Sequence, residues 1–378
     1  MSRIHENEVQ LNDGRILGRL TLDNPKALNA VRLDMIEPML SAIHAWEARP
    51  EVVAILIDAE GDKAFCAGGD IVNLYRSIIG EIEADYPQRF FTEEYRLCHD
   101  LHRLATPVIA WGHGIVMGGG CGLFAGASHR VVTETTRLAM PEIKIGLFPD
   151  CGATWFFSRL PHYLARFISL TGATLNSADV LFAGLAEHGI AHREKQDVIT
   201  ALETAQDWDL PHRTVDRILA AAEQRSPAAD TADSRLMAAA PTIREAARGN
   251  DLADIVTGLT ALAKTDDDWL AESAGSLAAG CPTTAHLIHN QLETGRYLSL
   301  AQAVQRELAM ALACCRHADF AEGVRALLVD KDKTPVWQYD SVATVPGQHV
   351  ADHFVPGWSG AHPLADLEES FLSRAAEH

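Results

Sequence analysis

Two short glycine-rich segments, residues 66–70 and 117–121, each stand between a strand-like run and a helix-like run. Backbone N–H groups at the start of a helix lack partners, and small residues let a ligand approach them. Two such loops side by side would direct two donors at one oxygen atom, an oxyanion hole worth about 3–4 kcal/mol per donor in acyl transfer. Either loop alone is equally consistent with a tight turn or close helix packing.

Two carboxylates, Glu142 and Asp150, stand eight residues apart among apolar residues and prolines. Apolar surroundings raise the pKa of a carboxyl group, which suits general acid or base catalysis. Pro141 and Pro149 precede them and restrict the direction of the backbone. The alternative is that both carboxylates only cap turns or helices, and Asp150 stands before a helix-like run where an N-cap would be.

Two histidine pairs and a run of aspartates are interpreted as structural. The pairs His99/His102 and His286/His289 have helical spacing but no third ligand at a suitable distance in sequence, so no metal site is predicted. Residues 266–268 are three aspartates, read as a solvated turn that caps a helix. A Gly-x-Ser-x-Gly motif is missing from the sequence, which argues against an α/β-hydrolase thioesterase.

The elements around the two loops alternate in type. A strand-like run at residues 52–58 precedes the first loop, and another at 107–111 precedes the second. An amphipathic helix is predicted over residues 33–46, and a hairpin turn at residues 12–14. This alternation predicts an α/β fold whose sheet faces are covered.

Beyond about residue 191 the strand signals largely stop and helical periodicity dominates. The sequence therefore predicts a core that binds and converts the ligand over residues 1–200, and a helical lobe over residues 201–345. An irregular tail is expected over residues 346–378.

Composition excludes several functional classes. The 378 residues carry a formal net charge of −19, which disfavours binding to nucleic acid or an anionic membrane surface. The seven cysteines include no Cys-x-x-Cys pair, which indicates reduced thiols and a cytoplasmic location. Residues 1–10 have no leader character, and no apolar run is long enough to cross a membrane.

The runs AFCAGGDI (64–71), HGIVMGGG (113–120), AMPE (139–142) and IGLFPD (145–150) resemble the enoyl-CoA hydratase/isomerase, or crotonase, superfamily. More narrowly, the chain resembles its 3-hydroxyisobutyryl-CoA hydrolase branch in FTEEY (91–95), LTG (170–172) and GVRALLVDKD (323–332). The resemblance covers roughly residues 10 to 340.

The resemblance implies an α/β fold, the crotonase-like spiral of ββα units with a helical C-terminal region. It implies that Gly69 and Gly119 donate to the thioester carbonyl oxygen and that Glu142 is the catalytic carboxylate, with Asp150 and Glu94 lining the acyl pocket. Residues expected along CoA are Lys26, Ala27, Leu28, Ala67, Gly68, Asp70 and Ile71. The partner would be an acyl-CoA substrate, with no metal or other cofactor, and a homo-oligomer such as a trimer is expected.

One position separates the chemistries of this superfamily. Hydratases hold water between two glutamates, one at the position of Glu142 and another where this chain has Gly122. The resemblance therefore favours hydrolysis of a short β-hydroxyacyl-CoA thioester, 3-hydroxyisobutyryl-CoA of valine catabolism first among them. Glu142 would act as general base or as nucleophile, and Asp150 would hold the 3-hydroxyl group or help protonate the thiolate.

Two other functions stay open. An isomerase needs only one base, so Gly122 does not exclude an enoyl-CoA isomerase or a one-carboxylate hydratase. A non-catalytic acyl-CoA binding protein is the third hypothesis, disfavoured by the presence of both carboxylates and both glycine loops.

Overall fold

The computed structural model describes residues 3–226 and 233–367, and the chain divides into two units that alternate along the sequence. The first unit comprises Met1–Gly69, Asp100–Ala139 and Thr174–Ala239. The second comprises Asp70–His99, Met140–Ala173 and Ala240–His378. The sequence instead predicts three consecutive regions of the chain. Their boundaries at residues 200 and 345 stay a prediction.

Every strand within the described residues belongs to the first unit. The strands are β1 (Arg3–Gln10), β2 (Ile16–Asp23), β3 (Val52–Ala59), β4 (Ala64–Cys66), β5 (Val108–Gly112), β6 (Ile115–Met117), β7 (His129–Val132), β8 (Arg137–Ala139) and β9 (His188–Gly189). The larger sheet has the order β1-β2-β3-β5-β7-β9, and the smaller has the order β4-β6-β8.

Apart from the first hairpin, the strand pairs are parallel. The predicted turn at residues 12–14 joins β1 to β2, and the Leu11 amide donates to the Arg15 carbonyl across it at 2.9 Å. All eight residues of β3 are buried, as a central strand of a sheet covered on both faces requires. The predicted α/β class is confirmed.

The first unit surrounds its sheets with helices because their apolar faces need cover. These helices are α1 (Leu33–Glu47), α4 (Gly119–Gly126), α7 (Ser177–Phe182), α8 (Lys195–Thr204) and α9 (Pro211–Arg225), while α10 (Arg235–Ala246) spans the boundary between units. The core of this unit contains Leu56, Trp111 and Leu219, none more than 1% exposed.

The second unit is helical within the described residues. Its helices are α2 (Ile71–Ile78), most of α3 (Tyr86–Arg103), α5 (Ala153–Phe157), α6 (His162–Thr171), α11 (Leu252–Thr260), α12 (Asp268–Ala278), α13 (Pro282–Gly295), α14 (Leu300–Arg316), α15 (Ala318–Val324) and α16 (Gly347–Asp352). A π-helical turn, Arg325–Val329, follows α15. None of these helices, nor any other in the described residues, is long and apolar enough to cross a bilayer.

Two details correct or refine the sequence interpretation. The Asp267 side chain accepts from the Leu270 amide at 3.0 Å and caps α12, as the reading of residues 266–268 predicts. The tail expected to be irregular begins with a short helix, α16, and its residues 368–378 lie outside the described part of the chain.

Candidate active site

The two glycine loops of the first unit lie side by side. Gly68 has a φ of +111°, and a Cβ atom built on it would lie 3.2 Å from the carbonyl oxygen of Met117 and 3.6 Å from the Gly119 nitrogen. Any side chain at Gly68 would therefore be strained and would press on the second loop. The two loops therefore lie close together, and the oxyanion hole expected from the sequence stays a prediction.

The small sheet explains why the loops meet. Strands β4 and β6 are parallel neighbours, so the loops that follow them leave from the same edge. Gly120 packs so closely that a Cβ atom there would overlap the carbonyl oxygen of Cys66. Gly119 is the first residue of α4, so its N–H is one of the four amides that a helix leaves without an intrahelical partner.

The segment predicted to lie along CoA contacts the first loop within the same unit. Lys26 and Ala27 are exposed in a 3₁₀-helical turn, and Leu28 follows with a φ of +52°. The Leu28 carbonyl accepts a hydrogen bond from the Ala67 amide at 3.0 Å. The exposed Lys26 and Ala27 adjoin Leu28 in the chain, and Leu28 and its hydrogen-bond partner Ala67 are both partly exposed.

Two of the residues predicted to lie along CoA begin the second unit instead. The Asp70 side chain accepts from the Asn73 amide at 3.2 Å and caps α2, of which Ile71 is the first residue. Asp70 therefore has a local structural role whatever else it contacts.

The carboxyl group of Glu142 is buried in the second unit. Glu142 begins a 3₁₀ turn and is 5% exposed, and no described protein group hydrogen-bonds its Oε2 atom. Burial raises the pKa of Glu142 well above its ordinary range, and the charges of Asp150 and Glu94 raise it further. A buried oxygen without a partner is costly unless a ligand supplies one, so this atom is suited to act on a bound molecule.

Asp150 and Glu94 are a pair of buried acids beside Tyr95. The Tyr95 hydroxyl donates to Oδ2 of Asp150 at 2.7 Å. Burial raises the pKa of Asp150 to about 6, although the Tyr95 hydroxyl and other donors act in the opposite direction. Burial and then the Asp150 charge raise the pKa of Glu94 well above its usual range. Asp150 does not cap a helix, because the N-cap of α5 is Gly152.

The same acids have the spacing of a potential metal site. Ligand atoms of Glu94, Asp150 and Cys151 lie within 4.8 Å of one another, and all three residues are buried. Two carboxyl groups with raised pKa values can instead share a proton, the arrangement seen in carboxylate pairs that do acid and base chemistry. The prediction of no metal here stays a prediction.

The loop that carries Asp150 is held by two residues that sequence reasoning missed. Glu307 of α14 accepts from the amides of Gly152 and Thr154, each at 2.8 Å. The Gln291 side chain of α13 donates to the Pro149 carbonyl at 2.9 Å and to the Thr154 hydroxyl at 2.7 Å. For Glu307, the sequence signal that could have identified it is an acidic residue on the apolar face of α14.

Glu307 makes the stability of the protein depend on pH. Burial raises its pKa to about 8 from an ordinary 4.5, although the two amide donors favour the charged form. Between these two values the folded state holds a proton that the unfolded chain has released. Stability therefore falls as pH rises through this window, by about 1.4 kcal/mol per pH unit for one whole proton.

We expect Glu307→Gln to flatten this dependence, measured as the free energy of urea unfolding at a series of pH values from 5 to 8. The amide also cannot accept from both backbone N–H groups, so stability at pH 5 should fall by about 1–3 kcal/mol. Glu245→Gln, at a side chain that is 70% exposed, is the matched control. An unchanged slope in Glu307→Gln would show that Glu307 is ionised throughout.

The position that distinguishes hydratases contains no carboxylate. Gly122 is buried in α4 of the first unit, where all eight residues are buried. Glycine at this place has no group that could hold or deprotonate water.

Comparison with known proteins agrees with the sequence motifs. Residues 17–354 match the family described as Enoyl-CoA hydratase/isomerase. The chain is 34% identical over 342 residues to a Xenopus laevis protein named 3-hydroxyisobutyryl-CoA hydrolase, mitochondrial, in an alignment covering 89% of this chain and 86% of that protein.

Two solved structures share the fold over nearly their whole length. An enoyl-CoA hydratase from Rhodobacter sphaeroides 2.4.1 has a TM-score of 0.79 and 30% identity, covering 94% of this chain and 97% of that one. A carnitinyl-CoA dehydratase from Mycobacterium thermoresistibile has a TM-score of 0.81 and 32% identity, covering 93% and 96%. The chain therefore belongs to the enoyl-CoA hydratase/isomerase family and has its crotonase-like α/β fold.

Proposed function

We propose that the chain hydrolyses the thioester of a short β-hydroxyacyl-CoA, with 3-hydroxyisobutyryl-CoA as its substrate and 3-hydroxyisobutyrate and CoA as products. The observation that carries the proposal is the buried Glu142 carboxyl group, whose Oε2 atom no described protein group hydrogen-bonds. Gly122 in place of a second glutamate disfavours hydration of a double bond, and the Xenopus laevis relative is named for this hydrolysis.

In the proposed reaction, Glu142 acts at the thioester carbonyl carbon. In the first route Glu142 is a general base: it takes a proton from water, and the hydroxide adds to the carbonyl carbon. In the second route the Glu142 carboxylate itself adds to that carbon and gives an acyl anhydride, which water then cleaves. In either route the carbonyl oxygen becomes negative, and the amides of Gly69 and Gly119 are proposed to stabilise it. Collapse of the tetrahedral species breaks the carbon–sulfur bond and releases the CoA thiolate.

Asp150 and Glu94 are proposed to serve the acyl group and the leaving group. Because the pKa of Asp150 is about 6, a proton can be exchanged at this carboxyl group near neutral pH. Asp150 either accepts a hydrogen bond from the 3-hydroxyl group or supplies the proton that the thiolate takes up. Glu94 is proposed to line the same acyl pocket.

CoA is polyanionic, and the chain has a net charge of −19, so its binding needs local donors. The exposed Lys26 and the backbone of residues 26–28 and 67–71 are proposed to bind it. This part of the proposal predicts that CoA affinity falls with ionic strength while the chemical step does not.

A thiol-release assay over a panel of CoA thioesters tests the proposal. We expect rapid release from 3-hydroxyisobutyryl-CoA and slower release from isobutyryl-CoA, which lacks the hydroxyl group. Hydration of crotonyl-CoA, followed by loss of enoyl absorbance, serves as the competing readout. An enzyme that leaves 3-hydroxyisobutyryl-CoA intact while it hydrates crotonyl-CoA is not the hydrolase proposed.

Tyr95→Phe should move the pH dependence of kcat/KM to higher pH. The Tyr95 hydroxyl donates to Asp150 and so stabilises its charged form; without it the pKa of Asp150 rises from about 6. The inflection moves upward whether the acid or the carboxylate is the active form. Tyr297→Phe, at a side chain that is 79% exposed, should leave the profile unchanged. A downward shift would mean that Asp150 does not control this inflection.

A second candidate function is hydration or isomerisation of an enoyl-CoA. The two solved relatives with TM-scores near 0.8 are named as a hydratase and a dehydratase, which favours it. An isomerase requires one base only, so Glu142 would suffice. A spectrophotometric screen of enoyl-CoA thioesters separates this candidate from the hydrolase, and any turnover excludes a purely CoA-binding role.

The location and assembly of the chain are two further parts of the proposal. None of the seven cysteines, all of which lie within the described residues, forms a disulfide, and six of them are buried, which fits a reducing compartment such as the cytoplasm. The Xenopus laevis relative is named as mitochondrial, so cell fractionation decides between the two compartments. A homo-oligomer such as a trimer stays a prediction that light scattering of the purified chain tests.

A further inference from the structure

A cluster of three histidines lies in the second unit, apart from the acids described above. His317 stands between α14 and α15, and His349 and His353 are four residues apart at α16. Ligand nitrogens of the three rings lie within 4.8 Å of one another. His349 and His353 are 8% and 2% exposed, whereas His317 is partly exposed. Three imidazoles from two distant segments thus lie together, and one of them is partly exposed to solvent.

The rings of His317 and His353 are stacked, with 21° between their planes, and His349 meets both of them edge-on. The centroid of His317 lies 4.6 Å from that of His349 and 4.3 Å from that of His353, and His349 and His353 are 5.0 Å apart. Three imidazoles on one tetrahedral zinc ion, with Zn–N bonds of about 2.0–2.1 Å, place their nitrogens about 3.3 Å apart. Side-chain rotations that bring the nitrogens together by about 1.5 Å at most would complete such a site.

A hydrogen bond at His353 leaves one of its ring nitrogens able to bind a metal ion. Nδ1 of His353 lies 2.8 Å from the His349 carbonyl oxygen, so the neutral ring donates there and keeps its lone pair on Nε2. Metal-binding histidines commonly donate their second nitrogen to a carbonyl group in this way. The Thr283 hydroxyl lies 3.4 Å from Nε2 of His349, close enough to orient that ring after a small adjustment.

A buried carboxylate adds negative charge beside the cluster. Asp319 is 4% exposed and interacts electrostatically with both His349 and His353. One of its oxygens accepts from the Gln338 amide at 2.7 Å, which fixes the carboxylate in place. Three neutral imidazoles with an anion nearby favour a divalent cation over a second anion or an apolar ligand.

We propose that His317, His349 and His353 form a binding site for a divalent transition-metal ion of the zinc class, with a fourth position open to water. The ion would join α16 to the junction of α14 and α15 and so close the intervening segment of 31 residues as a loop. The site is independent of the proposed hydrolysis, because none of its ligands is among the residues assigned to that reaction.

The test uses the full chain stripped of metal with a chelator and then titrated with Zn²⁺ or Co²⁺ alone. We expect one saturable site per chain and a melting temperature that rises with Zn²⁺ concentration. Bound Co²⁺ should give the visible absorption of a four- or five-coordinate ion without a thiolate charge-transfer band, since the proposed ligands are nitrogens. A thiolate band, or only weak binding at several sites, would overturn the proposal.

His317→Gln is the primary variant, because its partly exposed side chain can change with little cost to folding. Loss of one ligand should weaken Zn²⁺ binding by at least about 100-fold and remove the rise in melting temperature. His362→Gln, whose ring instead hydrogen-bonds the Gln305 carbonyl, is the matched control and should bind as the native chain does. Equal binding by the native chain and His317→Gln would show that the histidine cluster does not hold the ion.

Discussion

Glu142→Gln should reduce thiol release from 3-hydroxyisobutyryl-CoA by about 10²–10⁴-fold in kcat, the range that general acid–base catalysis supplies. The amide has the same shape but can neither take a proton from water nor attack the thioester carbon. Burial raises the pKa of the native carboxyl group, which makes its ionised form a stronger base than an exposed glutamate. The measurement is kcat and KM from a thiol-trapping assay.

The control for this substitution is Glu245→Gln, which makes the same chemical change at a side chain that is 70% exposed. It should leave kcat and KM unchanged. Substrate affinity of Glu142→Gln should also stay near that of the native enzyme, because the proposed role of Glu142 is in the chemical step. If Glu142→Gln retains most of its thiol release, another group activates the nucleophile and the proposed mechanism is wrong.

The sequence located the two glycine loops because their signal is local, but it assigned the preceding strands to residues 52–58 and 107–111 and missed the short strands β4 and β6 that lead into the loops. A strand, a run of small residues and a helix are contiguous in each, and parallel pairing of β4 with β6 brings the two loops to one sheet edge. The close approach at Gly68 could not be read from residue types alone. Only the position of Met117, about 50 residues away, shows why a side chain there is excluded.

The groups that hold Asp150 could not be predicted, because they come from helices far along the chain. Glu307 follows the loop by more than 150 residues, and a single acid in an apolar helix pattern does not identify its partner. Tyr95 belongs to the FTEEY run (91–95) that resembles the hydrolase branch of the family. Nothing in its spacing from Asp150 indicates the hydrogen bond between them. These contacts depend on tertiary packing, which local patterns do not encode.

Local sequence patterns also missed part of the secondary structure in the helical C-terminal half of the chain. Helices α12 and α13 were not predicted as elements, although the aspartates before α12 were read as a cap. The histidine cluster was also missed, since sequence spacing links His349 to His353 but leaves His317 more than 30 residues away. A third ligand from a distant segment becomes visible only when the fold brings it near.

Gly119→Pro should lower kcat for thioester hydrolysis by about 10²–10³-fold, the cost of removing one oxyanion donor. Proline lacks the N–H group, and the first position of a helix is where its fixed φ is tolerated best. Gly119 occupies that position in α4, so the helix itself should persist and circular dichroism should match the native chain.

Gly119→Ala separates the amide from the bulk of the new side chain. Alanine adds a Cβ atom but keeps the N–H group, and Gly119 is not among the residues with positive φ, so little strain is expected. We expect Gly119→Ala to retain most of the native kcat while Gly119→Pro loses it. Equal losses in both variants would attribute the effect to crowding, and the amide of Gly119 would then have no special part in stabilising the oxyanion.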